Sequence, residues 1–235
     1  MKFILAILMS AVVASPALAG QWTGVSLGVH FGENVGLNDI SVDPVPPGPF
    51  NIELNGLGGA GVMFGVDAHA DLQVSNNAVV GAFVTYDKLN DEFKANASFG
   101  GFTGTLTAPE LSRWTVGGRA GFLANPGTLL YGLFGYTQQQ NGDIVLAGGG
   151  SSIVLTVPTL HGITVGGGIE TMISPSVSLR GEYDFTHFNG VDLGLPGGGG
   201  GLKVSDMVDT HAVHVDLSWH IPVRSTEPVQ PVPMK

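Results

Sequence analysis

The 235-residue sequence contains no cysteine and few charges. Without cysteine there is neither a disulfide framework nor thiolate chemistry. Asp, Glu, Lys and Arg together make up only 12% of the chain, little for a soluble domain. Basic residues are scarcest: nine Lys and Arg against nineteen Asp and Glu leave a net charge of −10. That balance argues against nucleic acid, which needs a basic patch, and gives little attraction to anionic head groups. No apolar run is long enough for a transmembrane helix of about 20 residues.

One short apolar run does occur at the start. Lys2, an apolar stretch over 3–13 and the small-x-small triplet Ala17-Leu18-Ala19 have the form of a secretory signal peptide. The sequence therefore predicts a signal peptide over 1–19, a barrel over 20–221 and a proline-rich periplasmic tail over 222–235. Pro222, Pro228, Pro231 and Pro233 keep that tail from pairing as a strand.

What the chain has instead is alternation. Over 177–186, Val177, Leu179, Tyr183 and Phe185 share one parity, while Ser178, Arg180, Glu182, Asp184 and Thr186 share the other. A strand sends successive side chains to opposite faces. Val62, Phe64, Val66 and Leu72 likewise oppose Asp67, His69 and Asp71. Trp114, Val116 and Phe122 oppose Arg113, Thr115 and Arg119, and Val213, Val215, Leu217 and Trp219 oppose His214, Asp216 and His220. Candidate strands fall at 22–31, 61–73, 79–88, 111–123, 129–138, 161–172, 177–186 and 209–221. The fifth is apolar on both parities, which leaves its outward face open.

The connections alternate too. Long segments at 32–57, 89–110, 139–159 and 188–208 are interleaved with short turns at 74–78, 125–127 and 174–176. The prolines at 44, 46, 47 and 49 argue against a central strand in the first long segment, and 153–157 could prolong a strand beyond the membrane. The pattern predicts an all-β fold, an eight-stranded antiparallel up-and-down transmembrane barrel, with short periplasmic turns, long outer loops and an apolar exterior. Trp22, Trp114 and Trp219 are expected in the interfacial girdles.

Trp22-Thr-Gly-Val-Ser-Leu-Gly28, together with Gly166-Gly-Gly-Ile-Glu170 and Val177-Ser-Leu-Arg-Gly-Glu-Tyr183, resembles the small opacity-type (OmpA-like) outer-membrane proteins. The resemblance extends to about Ile221. It implies an eight-stranded barrel, a surface antigen, and adhesion or host-contact roles. The family's last strand ends the protein on an aromatic residue, whereas Trp219 is followed here by His220, Ile221 and a tail.

A barrel of eight strands is just wide enough for its own side chains, and buried charges must be paired. The expected lumen set is Arg113, Arg119 and Arg180 with Asp67, Asp71, Asp87, Glu170, Glu182, Asp184 and Asp216. Asp67-x-His69-x-Asp71 could hold a metal, but an internal salt-bridge plug is the simpler reading, so no metal, cofactor-binding or catalytic residue is assigned. Ser218 and His220 share a face without a nucleophile-elbow motif, and His211 has no evident serine partner. The glycine run at 197–201 lacks the Lys-Ser/Thr of a phosphate loop. The expectation is a monomeric, non-enzymatic surface barrel. Its partners would be outer-membrane lipids, the barrel-assembly machinery and an extracellular ligand met by the loops. A small pore, a metal- or haem-binding barrel and a lipid-modifying enzyme are the alternatives.

Overall fold

The computed structural model describes residues 21–45, 52–90, 93–99, 102–108, 111–142, 144–148, 151–155, 158–194 and 201–222. The signal-peptide segment and nearly all of the tail lie outside them. Thirteen strands are described: β1 (Gly24–Val45), β2 (Ile52–Gln73), β3 (Ala78–Asn90), β4 (Phe93–Phe99), β5 (Phe102–Ala108), β6 (Leu111–Asn125), β7 (Thr128–Gln140), β8 (Ile144–Gly148), β9 (Ser151–Leu155), β10 (Leu160–Ser174), β11 (Val177–Phe188), β12 (Val191–Gly194) and β13 (Gly201–Pro222). Eight of them, β1-β2-β3-β6-β7-β10-β11-β13, pair antiparallel in that order, and β1 closes on β13.

Three tight turns and both ends of the barrel gather at one rim. Gly24 pairs with both Asp71 and Pro222 there. Side chains shape the turns: Ser75 Oγ accepts from the backbone N–H of Ala78 at 3.1 Å, and Asn125 Oδ1 accepts from that of Gly127 at 2.9 Å.

The other rim corrects the loop expectations. Much of the four long segments is strand. β1, β2 and β13 have 22 residues each, against 13 in β3. At about 3.3 Å per residue they overhang the shorter strands by roughly 30 Å. Pro44 lies inside β1, opposite Leu202 of β13, beyond Val42↔Ile52 where the β2 pairing ends. Its missing N–H therefore interrupts no ladder on the β2 side, which is how a proline fits there. The hairpins β4–β5 and β8–β9 join through β5–β8 into a separate four-stranded sheet, with β9 at Ser151–Leu155 where an extension over 153–157 was expected.

Aliphatic and aromatic side chains cover the barrel's exterior. Leu27, Val29 and Phe31 on β1, Phe64 and Val66 on β2, Ile163 and Val165 on β10, and Val213, Val215 and Leu217 on β13 are all exposed. Every barrel strand contributes, so the surface is a continuous apolar band rather than a patch. Water would leave such a band unsatisfied, whereas hydrocarbon matches it. β7 settles its own ambiguity: Leu129, Tyr131 and Leu133 point inward, while Phe134 and Tyr136 point outward.

Candidate functional site

The interior is built upward from an apolar floor at the turn rim. Trp22, Val79, Phe83, Leu129, Tyr131 and Leu133 pack together there. Trp22 was expected in the interfacial girdle at the periplasmic rim, but it is only 1% exposed while Trp219 is 60% exposed. Its indole N–H donates to the carbonyl of Pro126 at 3.0 Å, which ties the segment preceding β1 to the β6–β7 turn. A buried indole normally needs such an acceptor. In single-tryptophan variants, brominated lipid is expected to quench Trp219 strongly and Trp22 hardly at all. Equal quenching would place Trp22 outside the barrel.

Above the floor the interior turns polar. Arg119 binds Asp71 with two nitrogens, at 2.9 and 2.6 Å, and reaches Glu170 at 2.8 Å. Next comes Arg180, 3.0 Å from Asp67 and 2.9 Å from Asp216, with Glu182 at 3.7 Å. Higher still, His30 lies 2.6 Å from Asp87 and 3.3 Å from Asp67, and its ring is 4.9 Å from that of His214. Arg113 closes the stack near the long-loop rim, at 3.3 Å from Asp87 and 3.2 Å from Asn34. All three arginines and six of the seven inward carboxylates are buried, Asp184 being the partly exposed one. The structure thus brings every member of the sequence-derived lumen set into one connected interior.

Glycine makes these pairs possible. Asp71 and Arg119 do not lie on neighbouring strands: Gly81 stands between them, paired to both. Gly65 stands in the same way between His30 and Asp87. Gly28, opposite Asp67, is so close that a Cβ on it would lie 2.6 Å from both Asp216 Oδ2 and Asp67 Oδ2. A residue without a side chain thus lets two charged groups meet across an intervening strand. The abundance of glycine was visible in the sequence, but this use of it was not. Nor was a threonine chain around the wall: Thr115 to Thr137 at 2.9 Å, Thr137 to Thr164 at 2.5 Å, and Thr164 to Thr186 at 2.7 Å.

Ser218 and His220 do not pair. Ser218 donates to Asp216, and His220 meets Ser178 at 2.8 Å and Glu170 at 3.0 Å. Ser178 and Glu170 both contact the same ring nitrogen, Nε2, and Ser178 itself donates to Glu170 at 2.6 Å. A hydrolytic triad needs the acid on the nitrogen opposite the serine, to hold the base while it takes the proton. This cluster lacks that arrangement, and it is buried. Outside, His211 pairs with Tyr183 at 2.7 Å and His161 with Tyr136 at 2.6 Å, polar tips on an aromatic band.

Comparison with known proteins bears on the fold. No curated protein matches the sequence. OprG of Pseudomonas aeruginosa superposes with a TM-score of 0.55 at 12% identity, over 87% of this chain and 100% of its own. Ail, the attachment invasion locus protein of Yersinia pestis, gives 0.40 at 12% identity over 83% and 99%, and Neisserial surface protein A gives 0.41 at 12% over 81% and 97%. The family model for the outer membrane protein beta-barrel domain matches residues 4–220. With its closed eight-stranded barrel, apolar exterior and charged interior, the chain belongs to the outer membrane protein beta-barrel domain family.

Proposed function

We propose that the protein is a surface barrel that acts at its long-loop rim, by contact with a host or the environment, and not as a conduit. The observation that carries this reading is the interior: charged side chains from several strands meet and pair in its middle. A pore would need those groups to line a water column instead. The overhanging β1–β2–β13 strands and the β4-β5-β8-β9 sheet then supply the contact surface. In this reading the amino-terminal segment is a signal peptide cleaved near Ala19, and the turn rim faces the periplasm.

The test has two arms. In planar bilayers the refolded protein is expected to give no unitary conductance. Replacing residues 91–110 and 141–159 by short turns is expected to leave a folded barrel while abolishing attachment of expressing cells to a cell or abiotic surface. Regular conductance steps, or attachment unchanged by the shortened loops, would overturn the reading.

A further inference from the structure

Among the described residues the interior holds seven inward carboxylates against three arginines, so its negative charge exceeds its permanent positive charge. Two groups of side chains concentrate that excess: His30 with Asp67 and Asp216, and His214 with Glu182 and Asp184. The first already holds a cation, because one nitrogen of Arg180 touches both Asp67 and Asp216. Among the described residues the second has no guanidinium as close. The nearest guanidinium nitrogen to Glu182 is Arg180 Nε, at 3.7 Å.

We infer that Glu182, Asp184 and His214 form a binding site for one divalent transition-metal ion inside the barrel. His214 Nε2 lies 3.2 Å from Glu182 Oε1 and 3.3 Å from Asp184 Oδ2. Charge-assisted N–H to carboxylate bonds run about 2.7–2.9 Å; His30–Asp87 and His187–Asp209 reach 2.6 Å, His69–Asp67 2.9 Å and His220–Glu170 3.0 Å, with His30–Asp67 also long at 3.3 Å. One Nε2 proton shared between two carboxylates makes only a weak, bifurcated contact to each. An ion bound at about 2.0–2.2 Å in tetrahedral geometry sets its donor atoms roughly 3.3–3.6 Å apart, close to the separations found. All three donor atoms lie within 4.8 Å of one another.

Two further observations point to a ligand. Asp184 Oδ1, the oxygen turned towards Gly166 rather than His214, is buried with no hydrogen-bond partner, so the protein leaves this carboxylate incompletely satisfied. A cavity of about 20 Å³, enough for one water or one ion, is lined by all three residues together with His30, Asp87 and Arg113. Tyr131 donates to Glu182 Oε2 and so fixes the carboxylate with Oε1 towards His214. Outer hydrogen bonds of this kind orient metal ligands. One imidazole and two carboxylates suit zinc, manganese or iron(II) better than calcium or copper(I).

Zn²⁺ is the probe of choice, added to the untagged, chelator-treated and refolded full barrel in detergent. Calorimetry is expected to show one tight site per barrel, and the imidazole ¹⁵N resonance of His214 Nε2 is expected to shift on saturation. H214Q and D184N should each weaken binding by more than about 10–100-fold, the loss that even an outer-shell change produces. H187Q, which alters an exposed outward pair, should leave binding unchanged. Heat-modifiable gel mobility checks the folding of each variant, and the wild-type ¹⁵N shift decides the matter if H214Q fails to fold. Absence of stoichiometric binding, an unmoved His214 resonance, or loss of binding in H187Q would overturn the inference.

Discussion

Arg180→Leu is expected to lower the stability of the barrel by about 3–5 kcal/mol, the penalty for stranding a buried charge. Arg180 is 1% exposed and is shared between Asp67 and Asp216, with Glu182 farther off at 3.7 Å. Leucine matches neither its charge nor its reach, so Asp67 and Asp216 would lose their common cation in a space that admits little water. The neighbouring Leu179 faces outward into the apolar band, and Leu179→Val removes one methylene from a fluid surrounding, at a cost of less than about 1.5 kcal/mol. Urea titration monitored by heat-modifiable mobility compares the two. Equal midpoints would mean that Arg180 is solvated and that the interior is a wet channel, which would also undo the proposed function.

Gly81→Val should be nearly as damaging, although strand propensity argues the other way. Valine is favoured in strands and glycine is not, a difference of up to about 1 kcal/mol. Yet a Cβ at Gly81 would fall on Asp71 Oδ1 and lie 2.9 Å from the carbonyl oxygen of Ala70. It would push apart the two-point Arg119–Asp71 pair that spans β3. Overpacking costs about 1–3 kcal/mol on its own, and the disturbed ion pair adds to it. Gly181→Ala is the matched control, because a Cβ there meets nothing within 4 Å. The expected order is Gly81→Val far below wild type and Gly181→Ala at or slightly above it. The reverse order would show that the interior yields easily around added volume.

The eight barrel strands, the closed topology and the inward parity of residues such as Asp67, His69 and Asp71 were legible because side-chain direction depends only on odd or even position, whereas β4, β5, β8, β9 and β12 were not. Pairing was not. Arg119 meets Asp71 across a third strand, and no local spacing encodes that. β7 resisted because its inward face is apolar too: Leu129 and Tyr131 serve the floor, so both parities read as greasy. Trp22 misled for the same reason, since composition cannot tell a ring buried under the barrel from one in lipid. The long segments were read as loops from their proline and glycine. A ladder open on one side tolerates both, as Pro44 does where β1 outruns β2.

The seam between β1 and β13 carries a timing constraint. It is an unbroken ladder from Gly24↔Pro222 to Val45↔Gly201, joining the first barrel strand to the last. Every other barrel strand pairs with a sequence neighbour and can add progressively as the chain is delivered. β1 cannot complete its second edge until β13 arrives. Through most of assembly, one of the longest strands therefore presents a bare row of N–H and C=O groups, the arrangement that invites pairing with a foreign strand. Closure of so distant a pair is also the slowest kind of contact to form. The seam is thus the place where assembly would need to be chaperoned, and the place where a competing strand would trap the barrel half-built.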